Sequence, residues 1–270
     1  MKLSLAVALL APVALASAVP KVDRKVSYNG YKAYRVSTGS LAQIVKDKIA
    51  AFSTVQFNFG TSEHLDVAIA PGDVAAFEAL NFNTTIMSED LGAEIATEGQ
   101  FGVYEKSVID NAKAVPSLTW FNSYHAYADH ITFFNDLAAS FPQNSEIFSI
   151  GTSAQGRNIF GIHLWGSGGG GKGSKPAIYF HGTVHAREWI TAKVVEYITY
   201  QLLTQYSTDS AVKSILDKFD FYILPVVNPD GFVYSQTNDR MWRKNRQSRS
   251  GASCIGTDVC PSFPSPILPS

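Results

Sequence analysis

Histidine runs out early in this chain. Of 270 residues six are histidine, and none follows His185, so nothing downstream can supply a histidine partner to it. Cysteine is scarce as well. Cys254 and Cys260 are the only two and lie six positions apart, which leaves a small closed loop or an orphan half-cystine as the alternatives. An excess of one charge is also missing: the net charge of -1 excludes the electrostatic footprint of a nucleic-acid or anionic-membrane binder. Beyond the amino terminus no apolar run is long enough to span a bilayer. What is present is 46% hydrophobic residues and 12% aromatics, enough for a real core in one large or two ordinary domains.

The amino terminus has its own pattern. Lys2 precedes an apolar stretch from Leu3 to Leu15, and Ala16-Ser17-Ala18 offers small residues for cleavage. Residues 1–18 therefore read as a secretory signal peptide, which predicts an extracellular protein with no membrane attachment after its removal. Asn83-Thr84-Thr85 fits a glycosylation acceptor and agrees with secretion.

Residues 21–95 predict a small α+β unit, an antiparallel sheet with helices on one face. A strand over 31–36 precedes Ser40, a candidate N-cap, after which Leu41, Ile44, Val45, Ile49 and Phe52 recur at helical spacing. Val55, Phe57 and Phe59, then Leu65, Val67 and Ile69, alternate as the arms of a hairpin. Asp73 is placed to cap a short helix, and residues 82–86 return as a strand. Residues 96–116 read as a linker. The second unit, 117–258, alternates strands with helices: a helix over 121–137, then strands at 147–150, 159–165, 177–180 and 219–227. A long helix before the last strand shows an apolar stripe of Ile190, Val194, Ile198 and Leu202. That alternation predicts an α/β domain with a mainly parallel or mixed sheet. The run Gly166 to Gly173 looks like a phosphate loop, but glycine follows Lys172 and a strand follows the loop, so it reads as a connection. Asn228-Pro229-Asp230-Gly231 reads as a turn. Residues 259–270 carry four prolines and break the composition of what precedes them.

The chemistry concentrates where the apolar run Ala177–Phe180 leads into His181-Gly-Thr-Val-His185-Ala-Arg-Glu188-Trp189. His185 and Glu188, at i and i+3 on the first turn of the long helix, are candidate zinc ligands, because imidazole and carboxylate both suit this borderline cation. Alone the pair is a weak signal; its strand–turn–helix setting strengthens it. His181 reads as a strand-end histidine, and His64, His125, His130 and His163 as ordinary surface or core residues.

His185-Ala-Arg-Glu188-Trp189-Ile190 resembles the zinc motif of the secreted metallocarboxypeptidases of the carboxypeptidase A family. Pro225-Val-Val-Asn-Pro-Asp-Gly231 with Asn238-Asp-Arg-Met-Trp-Arg243-Lys244, and Cys254-Ile-Gly-Thr-Asp258, resemble two further landmarks of that family in the right order. The resemblance covers most of residues 21–258. It implies an activation segment (propeptide) at 21–95, followed by the amino-terminal half of a zinc carboxypeptidase domain with a mixed sheet at 117–258. It also implies Zn2+ as cofactor, held by His185 and Glu188 as two of the His2Glu set that carboxypeptidase A exemplifies. By the same resemblance Arg243 polarises the scissile carbonyl and stabilises the oxyanion, a task suited to a permanent forked charge. The implied partners are peptide or protein carboxy-termini and an activating protease, and the implied reaction is hydrolysis of the last peptide bond by activated water.

After Asp258 the resemblance ends. The third zinc ligand, the carboxylate clamp, the specificity residue and the general-base glutamate all belong to later parts of the family pattern. The last glutamate here is Glu196, inside a helix. The expectation is therefore a carboxy-terminally incomplete catalytic unit that is inactive by itself. The rival expectation is a non-catalytic secreted binding protein whose 21–95 unit inhibits a carboxypeptidase in trans.

Overall fold

The computed structural model describes residues 25–58, 63–104, 115–251 and 254–258. Strands β1 (Lys32–Ser37), β2 (Thr54–Gln56), β3 (His64–Ile69) and β4 (Thr84–Ser88) form an antiparallel sheet in the order β2-β3-β1-β4. Alternation divides the side chains of β1 and β3, while β4 shifts register against β1 between Ala33 and Tyr34. Tyr34, Val36, Leu65, Val67 and Ile69 face α1 (Ala42–Ile49) and α2 (Val74–Glu78), where Val45, Ile49 and Phe77 close a core. Ala33 and Ala68 form a second cluster with Tyr28, Met241, and Leu91 and Ile95 of α3 (Leu91–Glu98). Asp90 caps α3 by accepting from the amides of Gly92 and Ala93.

Several local expectations need correction. Ser40 lies inside a 3-10 turn, Gly39–Leu41, and no side chain caps α1. Asp73 does precede α2, but its carboxylate accepts from the Ser53 amide instead of capping the helix. The boundary expected at 95 falls within α3, because Leu91 and Ile95 belong to the first unit's core. The signal segment, Phe59 with Gly60, and the 259–270 tail with Cys260 lie outside the described residues; Cys254 is exposed.

The second sheet is mixed. Strands β5 (Ser145–Thr152), β6 (Asn158–Leu164), β7 (Ala177–His181) and β8 (Asp220–Leu224) lie in the order β5-β6-β8-β7. Only β7 and β8 run parallel. Phe160, Ile162, Leu164, Phe221 and Ile223 share one face and are covered by α4 (Tyr127–Ser140), α5 (Trp189–Gln205) and Leu216 of α6 (Ser210–Lys218). The other face holds Tyr179 and Tyr222, with His163 stacked on Tyr222 at 4.2 Å between ring centroids.

Here too the sequence patterns mislead in places. The helix expected over 121–137 starts only at Tyr127, after a 3-10 turn, Leu118–Asn122, that buries Trp120. Helix α5 buries only half of the expected stripe: Ile198 and Leu202 pack in the core, but Ile190 is 56% and Val194 50% exposed. Its buried face carries Trp189, Ala192, Lys193, Val195, Glu196, Thr199, Leu202 and Leu203. Two charged residues lie inward because they bond to each other's surroundings there, which hydrophobic periodicity alone does not register. Asn228-Pro229-Asp230-Gly231 is the start of a helix, α7 (Pro229–Thr237), with the Asn228 side chain accepting from the Gly231 amide and Pro229 in the first turn.

Buried Asp230 ties that helix to the β5–β6 turn, accepting from Ser153 Oγ at 2.7 Å, the Gln155 amide at 2.9 Å and Arg157 Nη1 at 2.8 Å. Asp230→Ala leaves Arg157 without its buried partner and is expected to lower unfolding free energy by about 3 kcal/mol. Urea denaturation measures it, and a loss below about 1 kcal/mol would mean that the cluster is no stronger than a surface pair.

Candidate metal centre

The loop between β7 and α5 is shaped by close packing. Gly182 donates its amide to Leu224 O at 2.9 Å, and a Cβ there would meet Pro225 O at 2.6 Å. Thr183 follows with φ 52°, a conformation that a β-branched residue rarely adopts and that stores on the order of 1–3 kcal/mol. It is held by Thr191 Oγ1, which accepts from its amide at 2.7 Å. Asn228 fastens the loop from the other side, its Nδ2 donating to Val184 O and Lys244 O. Strain at this position therefore sits under several converging bonds.

The His185–Glu188 pair lies across a turn just outside the helix, not on its first turn as expected. Glu188 is the N-cap of α5, and its amide bonds His185 O at 3.1 Å. The consequence is a close approach: His185 Nδ1 is 3.0 Å from Glu188 Oε1. Two zinc bonds of about 2.0–2.1 Å meeting at a tetrahedral angle put their donor atoms roughly 3.3 Å apart, so these two atoms fit one shared ion. Asp258 Oδ1 stands 3.5 Å from His185 Nε2, the place from which a carboxylate orients a metal-binding imidazole. Asp258 was visible in the sequence only as the end of a landmark. Among the described residues no group of three His, Cys, Asp or Glu side chains converges to hold a metal, so the pair is a partial donor set.

Arg243 reaches the same spot. Its Nη2 lies 2.7 Å from His185 Nε2, its Nη1 3.4 Å from Glu188 Oε1, and its Nε donates to Asp258 Oδ2 at 2.9 Å. The contacts are satisfied with the imidazole proton on Nδ1, donated to Glu188, and Nε2 accepting from the guanidinium. All three residues singled out in the sequence are thus within one hydrogen-bonded group. His181 ends β7, exposed, and does not join it. A cavity of about 530 Å³ adjoins the loop, lined among others by Tyr179, His181, Val184 and Asn228. A larger depression of about 630 Å³ lies beside Lys175 and α6, without the ligand pair, and has no part in this chemistry.

The first unit grips the same loop. Glu98 accepts from Arg240 Nε at 2.6 Å and Nη2 at 2.8 Å, while Arg240 Nη1 donates to Arg187 O and the guanidinium lies 3.7 Å over the Trp189 ring. Arg187 donates to Phe57 O at 3.2 Å, and Tyr28 OH to Asp239 Oδ1 at 2.6 Å. Trp189 itself is buried and donates to Ser235 Oγ, so it supports the loop.

Residues 130–267 match the M14 peptidase family, zinc carboxypeptidase. A metallocarboxypeptidase A-like protein of Trichophyton verrucosum is 43% identical over 258 residues, covering 93% of this chain and 58% of that protein. Metallocarboxypeptidase A of Trichophyton tonsurans is 40% identical over 272 residues, covering 98% and 61%. The structure of thrombin activatable fibrinolysis inhibitor superposes with a TM-score of 0.72 at 21% identity, covering 86% of this chain and 58% of that one. Carboxypeptidase A from Helicoverpa armigera gives 0.67 at 23%, covering 86% and 57%. These two structures share the fold. The chain belongs to the zinc carboxypeptidase family, and it spans about three-fifths of the length of the curated relatives it matches.

Beneath the ligand turn lies a polar network that the sequence reading missed. Glu196 is fully buried; it accepts from Trp120 Nε1 at 2.9 Å and pairs with His130 Nδ1. Lys193 Nζ donates to Trp120 O at 2.9 Å, lies 3.5 Å over the Trp120 ring and 3.9 Å from Glu196. Burial pushes the Lys193 ammonium down to about 7, against the opposing pull of Glu196 and Asp129. An unfolded lysine holds its proton to roughly pH 10.4. Between about pH 7 and that value the unfolded chain carries a proton the folded chain has shed, so stability from this group rises with pH, by roughly 1 kcal/mol per unit. Below pH 7 the cost of burying the charge is present in full. Lys193→Met is expected to remove this rise; urea midpoints at pH 7, 8 and 9 that shift equally in both proteins would contradict it.

Proposed function

We propose that this chain is a secreted zinc metallocarboxypeptidase precursor, with residues 21–95 and the remainder of α3 as its activation segment. The observation that carries the reading is the 3.0 Å approach of His185 Nδ1 to Glu188 Oε1 in a chain of the zinc carboxypeptidase family. Zinc, when bound, supplies Lewis-acid polarisation and an acidified water. His185 Nδ1 and Glu188 would hold it, the imidazole proton moving from Nδ1 to Nε2, where Asp258 Oδ1 would accept it in place of the Arg243 contact. Arg243 presents N–H groups to a carbonyl oxygen that becomes negative during hydrolysis, and the attraction of its fixed charge strengthens with that change. The substrate class is a peptide or protein carboxy-terminus. An activating protease separates the first unit, whose grip on Arg240 and Arg187 lies beside the ligand turn. The amino-terminal signal pattern supports secretion, and among the described residues no helix is long and apolar enough to cross a membrane.

The described residues supply neither a third ligand nor a general base, so the 270-residue chain alone is inactive on this reading. Calorimetric zinc titration of the purified chain is expected to detect one weak site, absent in His185→Ala and weakened about 10- to 100-fold in Asp258→Asn. Peptide digestion followed by amino-acid analysis is expected to show no release of carboxy-terminal residues. Zinc affinity unchanged in both variants would remove the metal assignment, and clear amino-acid release would remove the inactivity.

The second reading, a binding protein acting through its first unit, is favoured by the bidentate Glu98–Arg240 contact. A test fragment must run past α3, because one ending at 95 would lack Glu98. Failure of residues 21–100 to inhibit an active family member would remove that reading.

A further inference from the structure

Strand β4 is an edge of the first sheet, and it is poorly defended. Its five residues, Thr84-Thr85-Ile86-Met87-Ser88, carry no charge and no proline, while Ile86 is 46% and Met87 48% exposed. An open edge of this kind invites pairing with another chain, and folded proteins block it with charge, proline, bulges, shortness or cover; β4 has one register shift against β1, at Ala33/Tyr34, and pairs regularly from Thr84 to Ile86. The opposite edge, β2, is only three residues long. The carboxy end of β4 is flanked by Glu89, paired with Lys32 at 3.0 Å. At its amino end stands Asn83, exposed, the first residue of the sole Asn-x-Ser/Thr triplet in the sequence. The Asn83 backbone is tied down, its carbonyl accepting from the Ser37 amide at 2.9 Å, whereas its side-chain amide makes no bond among the described residues. The described hydrogen bonds that fasten the first unit to the second run through Val26, Tyr28, Phe57 and Glu98, and Met241 packs into the Ala33–Ala68–Leu91 cluster, none of them on β4.

We propose that Asn83 carries an N-linked glycan and that this glycan is the guard of the β4 edge. The donor is a lipid-diphosphate-linked oligosaccharide. Asn83 Nδ2 forms a bond to the anomeric carbon of the reducing sugar, the bond from that carbon to the diphosphate oxygen breaks, the lipid diphosphate leaves with the electron pair, and the amide gives up one proton. A bulky hydrated group then stands beside the unpaired strand. Its place on the first unit, away from the latch contacts, lets it coexist with docking and depart with that unit on activation.

The inference rests on the proposed secretion, so two versions of the full chain are needed in a eukaryotic host. One keeps residues 1–18, and the other replaces them with an established secretory leader. Endoglycosidase treatment is expected to lower the mass of both by one glycan, with peptide mass spectrometry placing it at Asn83. Asn83→Gln and Thr85→Ala are each expected to abolish the shift. A glycan on the leader-replaced chain alone would support the site and count against the native signal. A leader-replaced chain recovered from the secretory route with Asn83 unmodified would overturn the proposal. Size-exclusion chromatography reads the guarding role: Asn83→Gln is expected to raise the dimer and larger fraction at least twofold, and adding Ile86→Lys to restore the monomer. Identical elution of the glycosylated and Asn83→Gln chains would overturn that role.

Discussion

Glu196 is a carboxylate with no exposure to water, and the second unit is organised around keeping it satisfied. Leaving such a charge without partners costs several kcal/mol. Its partners come from separate parts of the chain: Trp120 from the turn after the linker, His130 from α4, and Lys193 from one turn earlier on α5. Trp120 is in turn stacked between His125 and Phe133, at 3.7 and 4.6 Å between centroids. Rotation or sliding of α5 breaks all of these contacts together. The helix is therefore held in one register, and that register sets where its N-cap, Glu188, stands.

The position of the ligand pair follows from a second constraint. β7 and β8 are parallel neighbours, so their carboxyl ends emerge side by side. Loops leaving that edge converge, which is the general reason why open α/β sheets bind ligands there. One loop carries His185 and Glu188; the other carries Asn228, which holds both Val184 O and Lys244 O. A Cβ on Gly231 would meet Lys244 O at 2.5 Å, so the segment leading from Arg243 passes too close for any larger residue. A strained Thr183 persists because the bonds on both sides leave it no alternative.

Much of this was legible beforehand. The strands were mostly legible as apolar or alternating runs, because burial of one sheet face writes a period of two into residues such as Leu65, Val67 and Ile69; β4 differs, expected at 82–86 but lying at Thr84–Ser88 with only Ser88 buried. His185, Glu188 and Arg243 were recognisable from motif and order, and they meet in space. What escaped was polar. The α5 stripe was assigned to Ile190, Val194, Ile198 and Leu202; the last two pack inward, but near the amino end burial follows Lys193 and Glu196, whose suitability for the interior depends on Trp120 and His130 far away in sequence. The Asn228 cap was read as a turn because turns and helix starts use the same residues. Asp258 had no assigned role, since nothing local places a carboxylate 3.5 Å from an imidazole 73 positions earlier.

The short segment from Asn238 to Arg243 carries two arginines with opposite duties. Arg240 turns toward the first unit, held by both oxygens of Glu98 and stacked on Trp189. Arg243, three residues on, turns toward His185, Glu188 and Asp258. Their charges repel, and burial together with the nearby Arg243 charge already pushes the neighbouring Arg187 guanidinium down from its usual range. Glu98 is thus a counter-charge to a cationic patch as well as a latch. Withdrawing the first unit would take Glu98 from Arg240 and the Phe57 carbonyl from Arg187, while Arg243 would keep Glu188 and Asp258. A cationic patch uncovered in this way would attract an anionic group more strongly than the covered one. The same contact that holds the two units together therefore also masks the field that separation would expose.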